Sequence, residues 1–202
     1  RNHFISFISL ISMLGVALGV AALIIVLSVM NGFQKELRGR ILAVVSHVQI
    51  LGGSGELADW QRVAKQATEH PEVKAVAPFV QAQGMLSFGQ NVRGAMVRGV
   101  LPDMEDRVAD FRPHMKSGSL DALQADSFGI VLGSELARAL GVFTGDRVTL
   151  IAPQGVVTPA GVVPRLKTFN VVGIFEVGMF EYDNGLALVA MSDAQKLYRM
   201  ED

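Results

Sequence analysis

The chain has 202 residues, a formal net charge of −1 at pH 7, and apolar side chains at half of its positions. A nearly neutral charge does not indicate a nucleic-acid partner, and this length allows one or two domains with a real core. Cysteine is absent, which excludes disulfides, thiolate metal sites and a cysteine nucleophile. Because the sequence opens at Arg1 rather than Met, we interpret it as a piece of a longer protein.

The first predicted element is a membrane-spanning helix. No charged residue occurs from Phe4 to Met30, and such a run exceeds the roughly 20 residues that a spanning helix needs. A secretory signal peptide is the alternative, but its apolar core is usually about 7–15 residues long. The next segment, "NGFQKELRGRIL", has apolar residues at helical spacing among charged ones. We therefore predict a transmembrane helix with an amphipathic stalk over residues 1–43.

A stripe of small residues follows one side of this helix at spacings of three and four. It consists of Ser9, Ser12, Gly15, Gly19 and Ala22. Gly15 and Gly19 form a G-x-x-x-G motif, which lets another helix approach closely. The alternative is that small residues are simply common in membrane helices. We predict that the stripe packs against other helices or borders a path for lipid chains.

The residues after the stalk predict a β-α-β-β unit. The alternating, β-branched run "VVSHVQIL" (44–51) predicts a strand, and residues 56–70 predict a helix that Pro71 ends. Two long strands are predicted on either side of a turn at Gly89–Asn91.

A second group of elements begins after a looser stretch over residues 111–126. "GIVLG" predicts a short strand, which a helix over Ser134–Leu140, a turn at Gly145–Asp146 and a further strand follow. "KTFNVVGIFEVG" and "LALVAMS" predict two more strands, joined by a tight turn at Asn184–Gly185. A last helix is predicted to be capped by Ser192 or Asp193.

Together these elements predict an α+β fold with two lobes beyond the stalk. Residues 44–102 and 167–202 would form the first lobe, and residues 103–166 a mostly β lobe inserted between its strands.

Motifs that carry enzymatic chemistry are missing from the sequence. There is no G-x-x-x-x-G-K-[ST] phosphate loop, no G-x-S-x-G elbow and no closely spaced pair of histidines. The acidic run "DMEDRVAD" lacks the glycine of a calcium loop, so we interpret it as a solvated face. Glu181 and Asp183 could act as a pair, but a turn is the simpler interpretation. We expect no catalytic residue, no metal and no cofactor.

The segment Pro153–Pro164, called the tongue below, is apolar but cannot be a helix. Its three prolines each remove a backbone donor. Thr158-Pro159-Ala160-Gly161 suits a β-turn, with pairs of valines on the two arms. A two-stranded tongue leaves apolar surface and strand edges open to a partner. The alternative is a tongue that lies flat against its own lobe.

Several motifs resemble one known family. "SVMNGFQ" and "GSELARALGVFTGDRVTL" are the most specific, and with "FNVVGIF" and "EYDNGLALVAMSDAQKL" the similarity covers nearly the whole chain. The chain resembles lipoprotein-releasing ABC permeases of the LolC/LolE family, which carry a MacB-like periplasmic core domain. This resemblance implies that the first lobe is porter-like. It also implies that the tongue, Pro153–Pro164, is a hook that catches a carrier protein. This hook is present in LolC-type but not expected in LolE-type subunits, so the chain is most similar to the LolC type.

The resemblance implies a place and partners for the chain. Such permeases lie in the inner membrane of Gram-negative cells, and residues after about 31 would be periplasmic, with three more membrane helices after Asp202. A second permease subunit, LolE-like or identical, and a separate ATPase, LolD, would complete the complex. It would extract outer-membrane lipoproteins and pass them to the carrier LolA. The residues implied to bind LolA are Pro153, Val156, Val157, Thr158, Pro159, Gly161, Val162, Val163, Pro164 and Arg165.

Two other functions remain open at this point. A MacB-like efflux permease would bind a periplasmic adaptor instead of a lipoprotein carrier. An FtsX-like protein would relay a signal across the membrane to a cell-wall hydrolase. Neither accounts for a proline-bounded tongue.

Overall fold

The computed structural model describes residues 2–44, 48–53, 57, 59–158 and 161–200. These residues form helices α1 (Asn2–Val44), α2 (Trp60–Thr68), α3 (Pro102–Glu105), α4 (Ser134–Leu140), α5 (Phe180–Gly185) and α6 (Met191–Tyr198). The strands are β1 (Phe79–Phe88), β2 (Asn91–Val100), β3 (Met115–Gly118), β4 (Gly129–Gly133), β5 (Arg147–Thr158), β6 (Gly161–Phe175) and β7 (Leu186–Ala190). The chain divides into two compact units, residues 1–41 and 42–202.

The first unit is made by α1, a single helix of 43 residues. Its stretch Phe7–Glu36 is long and apolar enough to cross a membrane, by length and composition. The predicted apolar helix is confirmed, and it continues without a break to Val44; that this continuation is a stalk stays a prediction.

The second unit is built around one seven-stranded sheet in the order β3-β6-β4-β7-β2-β1-β5. Strand β5 also pairs with β6. The pairings β6-β4-β7-β2-β1-β5 therefore return to β6 and close a circuit of six strands, with β3 added at the end of β6. The predicted hairpin of β1 and β2 is confirmed, with Phe88 opposite Asn91 across the turn.

Two hydrophobic clusters lie on opposite faces of β4 and β7. In β4, Ile130 and Leu132 belong to one cluster and Val131 to the other. Strand β7 alternates in the same way, and every residue of both strands is buried. Burial on two faces explains why "GIVLG" and "LALVA" are continuous apolar runs instead of alternating ones. The α+β class is confirmed.

Two predicted elements are wrong. Val44 is the last residue of α1, and Val48–Leu51 form no strand. A strand needs a neighbour for its backbone groups, and the six-strand circuit closes without this segment. The predicted tight turn at Asn184–Gly185 lies instead within α5. A hairpin cannot form there because β4 lies between β6 and β7 in the sheet.

The start of the last helix also differs from the prediction. The residue that precedes α6 is Ala190, and no side chain caps the helix there. Asp193 instead bonds to a distant loop, as described below. The described strands of both predicted lobes belong to the same sheet, and the division into two lobes stays a prediction.

Candidate functional site

The tongue is a two-stranded ribbon formed by the distal halves of β5 and β6. Its arms pair antiparallel, with Val156 opposite Val163, Val157 opposite Val162, and Thr158 opposite Gly161. The last of these pairs leaves two residues between the arms, which fits the predicted β-turn. That turn, at Pro159 and Ala160, lies outside the described residues.

The prolines at the two ends of the tongue flank a change of register. Ala152 is opposite Arg165 and Val156 is opposite Val163, so three residues of β5 stand opposite one residue of β6. Pro153 is in the longer segment, and Pro164 is the single residue across from it. Proline has no N–H to give to a strand ladder and occurs in sheets mainly at edges and bulges. The two prolines therefore explain why the pairing is interrupted here.

The described part of the tongue has no third strand beside it. Strand β1 pairs with β5 only from Thr149 to Ile151, and β4 pairs with β6 only from Asn170 onward. Pro153 and Pro164 are exposed, and 52% of Val163 is accessible to solvent. In these residues the ribbon is exposed, which does not favour the alternative of a tongue packed flat.

The remaining predicted tongue residues are placed by their backbone alone. Val156, Val157, Thr158 and Val162 lie in the paired arms, and their side chains are outside the described part of the structure.

The base of the tongue, Arg147–Ala152 of β5 and Arg165–Asn170 of β6, is packed on one face and open on the other. Ala152, Leu150 and Phe169 are buried in the first hydrophobic cluster. A groove of about 470 Å³ opens beside the base, and Leu166 in its lining is 59% exposed. The groove is lined by Ser127, Phe128, Arg147, Leu166, Lys167, Thr168 and Asn170. Two cations and no anion line it.

The small-residue stripe is fully open on α1. Ser9, Ser12, Gly15, Gly19 and Ala22 are all exposed, and they share one side of the helix because each step of three or four residues returns near the same face. A Cβ built at Gly15 or Gly19 meets no atom within 4 Å. That a helix or lipid fills this space stays a prediction.

The acidic run after β2 is only in part the solvated face that its composition predicts, because Asp103 and Asp110 are exposed but Glu105 is not. Glu105 is completely buried, and its carboxylate lies 2.9 Å from the guanidinium of Arg98. Burial raises the pKa of Glu105, and the charge of Arg98 opposes that rise. Asp106 binds Arg112 at 2.8 Å. Among the described residues, no group of three histidine or acidic side chains could hold a metal ion.

Two buried carboxylates with structural roles were missed by the sequence analysis. Asp183 accepts hydrogen bonds from the backbone N–H groups of Val177 and Gly178 at 2.9 and 3.0 Å. Asp193 does the same for Asp126 and Phe128. Carboxylates near the start of a helix usually bond to their own helix, so no local signal shows that these two hold other loops.

Comparison with known proteins identifies the family. The family described as MacB-like periplasmic core domain matches residues 9–201. The lipoprotein-releasing system transmembrane protein LolC of Neisseria meningitidis is 46% identical over 100% of this chain and 48% of its own length. LolC of Xylella fastidiosa is 45% identical with the same coverage. LolE of Haemophilus influenzae is 32% identical over 96% of this chain and 47% of its own.

The chain thus spans about half the length of the curated relatives it matches. Among solved structures, the extracellular domain of the noncanonic ABC-type transporter YknZ matches with a TM-score of 0.49 and 10% identity. The match covers 70% of this chain and 67% of the YknZ chain. This similarity is too low to support an argument. The predicted resemblance to the LolC/LolE permeases is confirmed by the sequence matches, and the chain belongs to the MacB-like periplasmic core domain family.

Proposed function

We propose that this chain is the first membrane helix and periplasmic domain of a LolC-type permease subunit. The complete protein would extract lipoproteins from the inner membrane and pass them to LolA, which the tongue would recruit. Relatives at 44–46% identity over the whole chain are named for lipoprotein release. The exposed two-stranded tongue is the observation that carries the recruitment step.

The other parts of the complex follow from this function. A second permease subunit, LolE-like or identical, would pair with this one, and ATP hydrolysis would take place in a separate subunit, LolD. The chain itself would be non-catalytic, with α1 in the inner membrane, residues after about 31 in the periplasm and further membrane helices beyond residue 202. The exposed small residues of α1 would contact other helices or the lipid chains of the cargo. The two predicted lobes would move with the stalk.

The tongue offers a partner both apolar surface and strand edges. Val163 is half exposed on one arm, and the distal arms have no neighbour in the described strands other than each other. Burying two valines would supply about 3–6 kcal/mol before ordering costs. Arg165 and Lys167 lie where the tongue meets its base, and they would steer an acidic partner toward it.

Calorimetry between purified LolA and residues 42–202 tests the proposal, because this compact unit contains both hydrophobic clusters. We expect Val163→Asp to weaken binding at least about 10-fold, since a charge would have to be buried at the contact. Val92→Asp is the matched control, because Val92 is a similarly exposed valine, at 47%, on β2. It should leave the affinity unchanged.

Other results would contradict parts of the proposal. Equal LolA affinity of the wild type and Val163→Asp would show that LolA contacts a part of the domain other than the tongue. A folded wild-type unit that does not bind LolA would favour the efflux or signal-relay function. In the complete complex, lipoprotein release that is unaffected by deletion of residues 153–164 would rule out recruitment by the tongue.

A further inference from the structure

We infer that α6 sets the position of the tongue, with Asp193 and Arg165 as positioning residues that connect this helix to the tongue base. The functional importance of this connection rests on the proposed role of the tongue, but the connection itself is tested without a carrier. Several contacts join α6 to the loop and strands around the tongue base, among them an ion pair between Lys196 and Asp126, and three further contacts are considered in turn.

The first contact is made by the buried carboxylate of Asp193. It accepts the N–H groups of Asp126 at 2.8 Å and Phe128 at 2.9 Å. These two residues have φ angles of 66° and 50°, a left-handed conformation that is uncommon for residues other than glycine. A strained loop persists only where its surroundings hold it. Here both strained residues are held by one carboxylate of α6.

The 126–128 loop in turn contacts β6 at the tongue base. The carbonyl oxygen of Phe128 accepts the N–H of Asn170 at 2.8 Å. The Phe128 ring meets the Phe169 ring edge to face, with centroids 5.6 Å apart, and the Lys167 ammonium lies 3.7 Å from its centroid. Three residues of the tongue base, Lys167, Phe169 and Asn170, therefore contact Phe128. A shift of the 126–128 loop would be transmitted directly to β6.

The second contact is at the other end of α6. The guanidinium of Arg165, which follows the last proline of the tongue, donates to the carbonyl oxygen of Leu197 at 3.3 Å. Carbonyl groups in the last turn of a helix have no partner within the helix, so Leu197 can accept this bond without disturbing α6. Arg165 thereby ties the point where the tongue begins to the end of the helix.

The third contact fixes α6 against the neighbouring strands. The Tyr198 hydroxyl donates to the carbonyl oxygen of Gln83 in β1 at 3.1 Å. At Gly84, an added Cβ would lie 2.9 Å from that hydroxyl and 2.7 Å from Leu150 of β5. There is no spare space between α6, β1 and β5. A displacement of α6 would therefore move β1 and, through the close contact at Gly84, the β5 strand of the tongue base.

Asp183 provides a matched control for Asp193. Both are buried carboxylates that accept two backbone N–H groups from a loop outside their own helix. Asp183, however, holds Val177 and Gly178, which follow the opposite end of β6 from the tongue. An Asp→Asn change at either position leaves one N–H facing an amide group that cannot accept it. The two variants share the chemistry and differ in the loop affected.

Hydrogen–deuterium exchange of the complete permease complex, without LolA, measures the connection. We expect Asp193→Asn to raise exchange about 10-fold or more in residues 126–128 and in the tongue arms. Asp183→Asn should raise it near Val177 and leave the tongue unchanged. Arg165→Met is a second variant, for use if Asp193→Asn does not assemble, and it should raise exchange in the tongue arms with little change near residue 126.

The inference is overturned if tongue exchange is the same in Asp193→Asn or Arg165→Met as in the wild type. Equal loosening of the tongue by Asp183→Asn would also overturn it, because the effect would then be general destabilisation. Since the carrier is absent from this measurement, failure of LolA binding in the calorimetric test would not change either result.

Discussion

The buried ion pair of Arg98 and Glu105 gives a sharp prediction about the stability of the second unit. Arg98 lies on β2 with 9% of its side chain exposed, and the Glu105 side chain on α3 is not exposed at all. The guanidinium also lies 4.6 Å from the centre of the Phe79 ring. Within the described part of the chain, Nε of Arg98 and both oxygens of Glu105 lack a well-directed hydrogen bond. The pair is close, but it is poorly satisfied.

This geometry determines the expected magnitudes. Removing either partner, in Arg98→Met or Glu105→Leu, leaves one buried group without its counterion and should cost about 3–5 kcal/mol. Replacing both removes the desolvation cost of two charges and leaves apolar groups of similar size. Because the pair lacks additional hydrogen bonds, we expect the double variant to lie within about 1 kcal/mol of the wild type. The three variants should therefore be strongly non-additive, by about 3 kcal/mol or more.

Urea unfolding of residues 42–202, followed by circular dichroism, measures these differences. A single variant that does not fold is consistent with the expected cost, because domains of this size are stable by only about 5–15 kcal/mol. The double variant decides the matter. If it is destabilised by the sum of the two single effects, to within about 0.5 kcal/mol, the two side chains do not interact and the reasoning is refuted.

Three further predictions concern packing and ionisation. Gly133→Ala should lower the melting temperature of the unit by several degrees, because its Cβ would lie 2.3 Å from a backbone oxygen of α5. Gly94→Ala, with no atom within 4 Å of its Cβ, should change the melting temperature little. Equal changes in melting temperature for the two variants would contradict the packing argument. Burial raises the pKa of Tyr198 to about 12, so absorbance titration of a Tyr182→Phe variant should show one tyrosine ionising near that pH. A midpoint near 10 would contradict it. Because burial raises the pKa of Glu105, its contribution to the free energy of unfolding is greatest below the ordinary glutamate pKa and is lost as pH rises through the raised value. The stability difference between the wild type and Glu105→Gln, measured by urea unfolding at several pH values, should fall over that range, and a constant difference would contradict the pKa shift.

The elements that were predicted correctly have signals within a few residues of sequence. The helix over Ser134–Leu140 is confirmed, and Gly141 ends it with φ at 77°, a conformation that glycine adopts without steric cost. The β1–β2 hairpin was recognisable from two β-rich runs and one turn. The tongue was predicted because three prolines exclude a helix, a local argument that needs no knowledge of the rest of the fold.

The errors come from contacts between separate elements of the fold. Asp193 is well placed to cap α6, yet its carboxylate bonds to a loop 65 and 67 residues away. Glu105 belongs to an acidic run that appears solvated in composition, and only the fold brings Arg98 beside it. The turn predicted at Asn184 failed because the sheet inserts β4 between the strands that it would have joined. Strand order and the partners of buried charges are not encoded in local periodicity.

The interrupted register between Ala152 and Val156 has a consequence for how this surface can change over time. The strand pairs below it are anchored in the hydrophobic core, whereas the described strand residues above it pair only with each other. Residues can therefore be inserted or removed beyond the two prolines while the side chains of Leu150 and Phe169 stay directed into the core. A hairpin from a related permease could be transplanted between Pro153 and Pro164 on the same grounds. The break separates a part of the protein that must keep its length from one that is free to vary it.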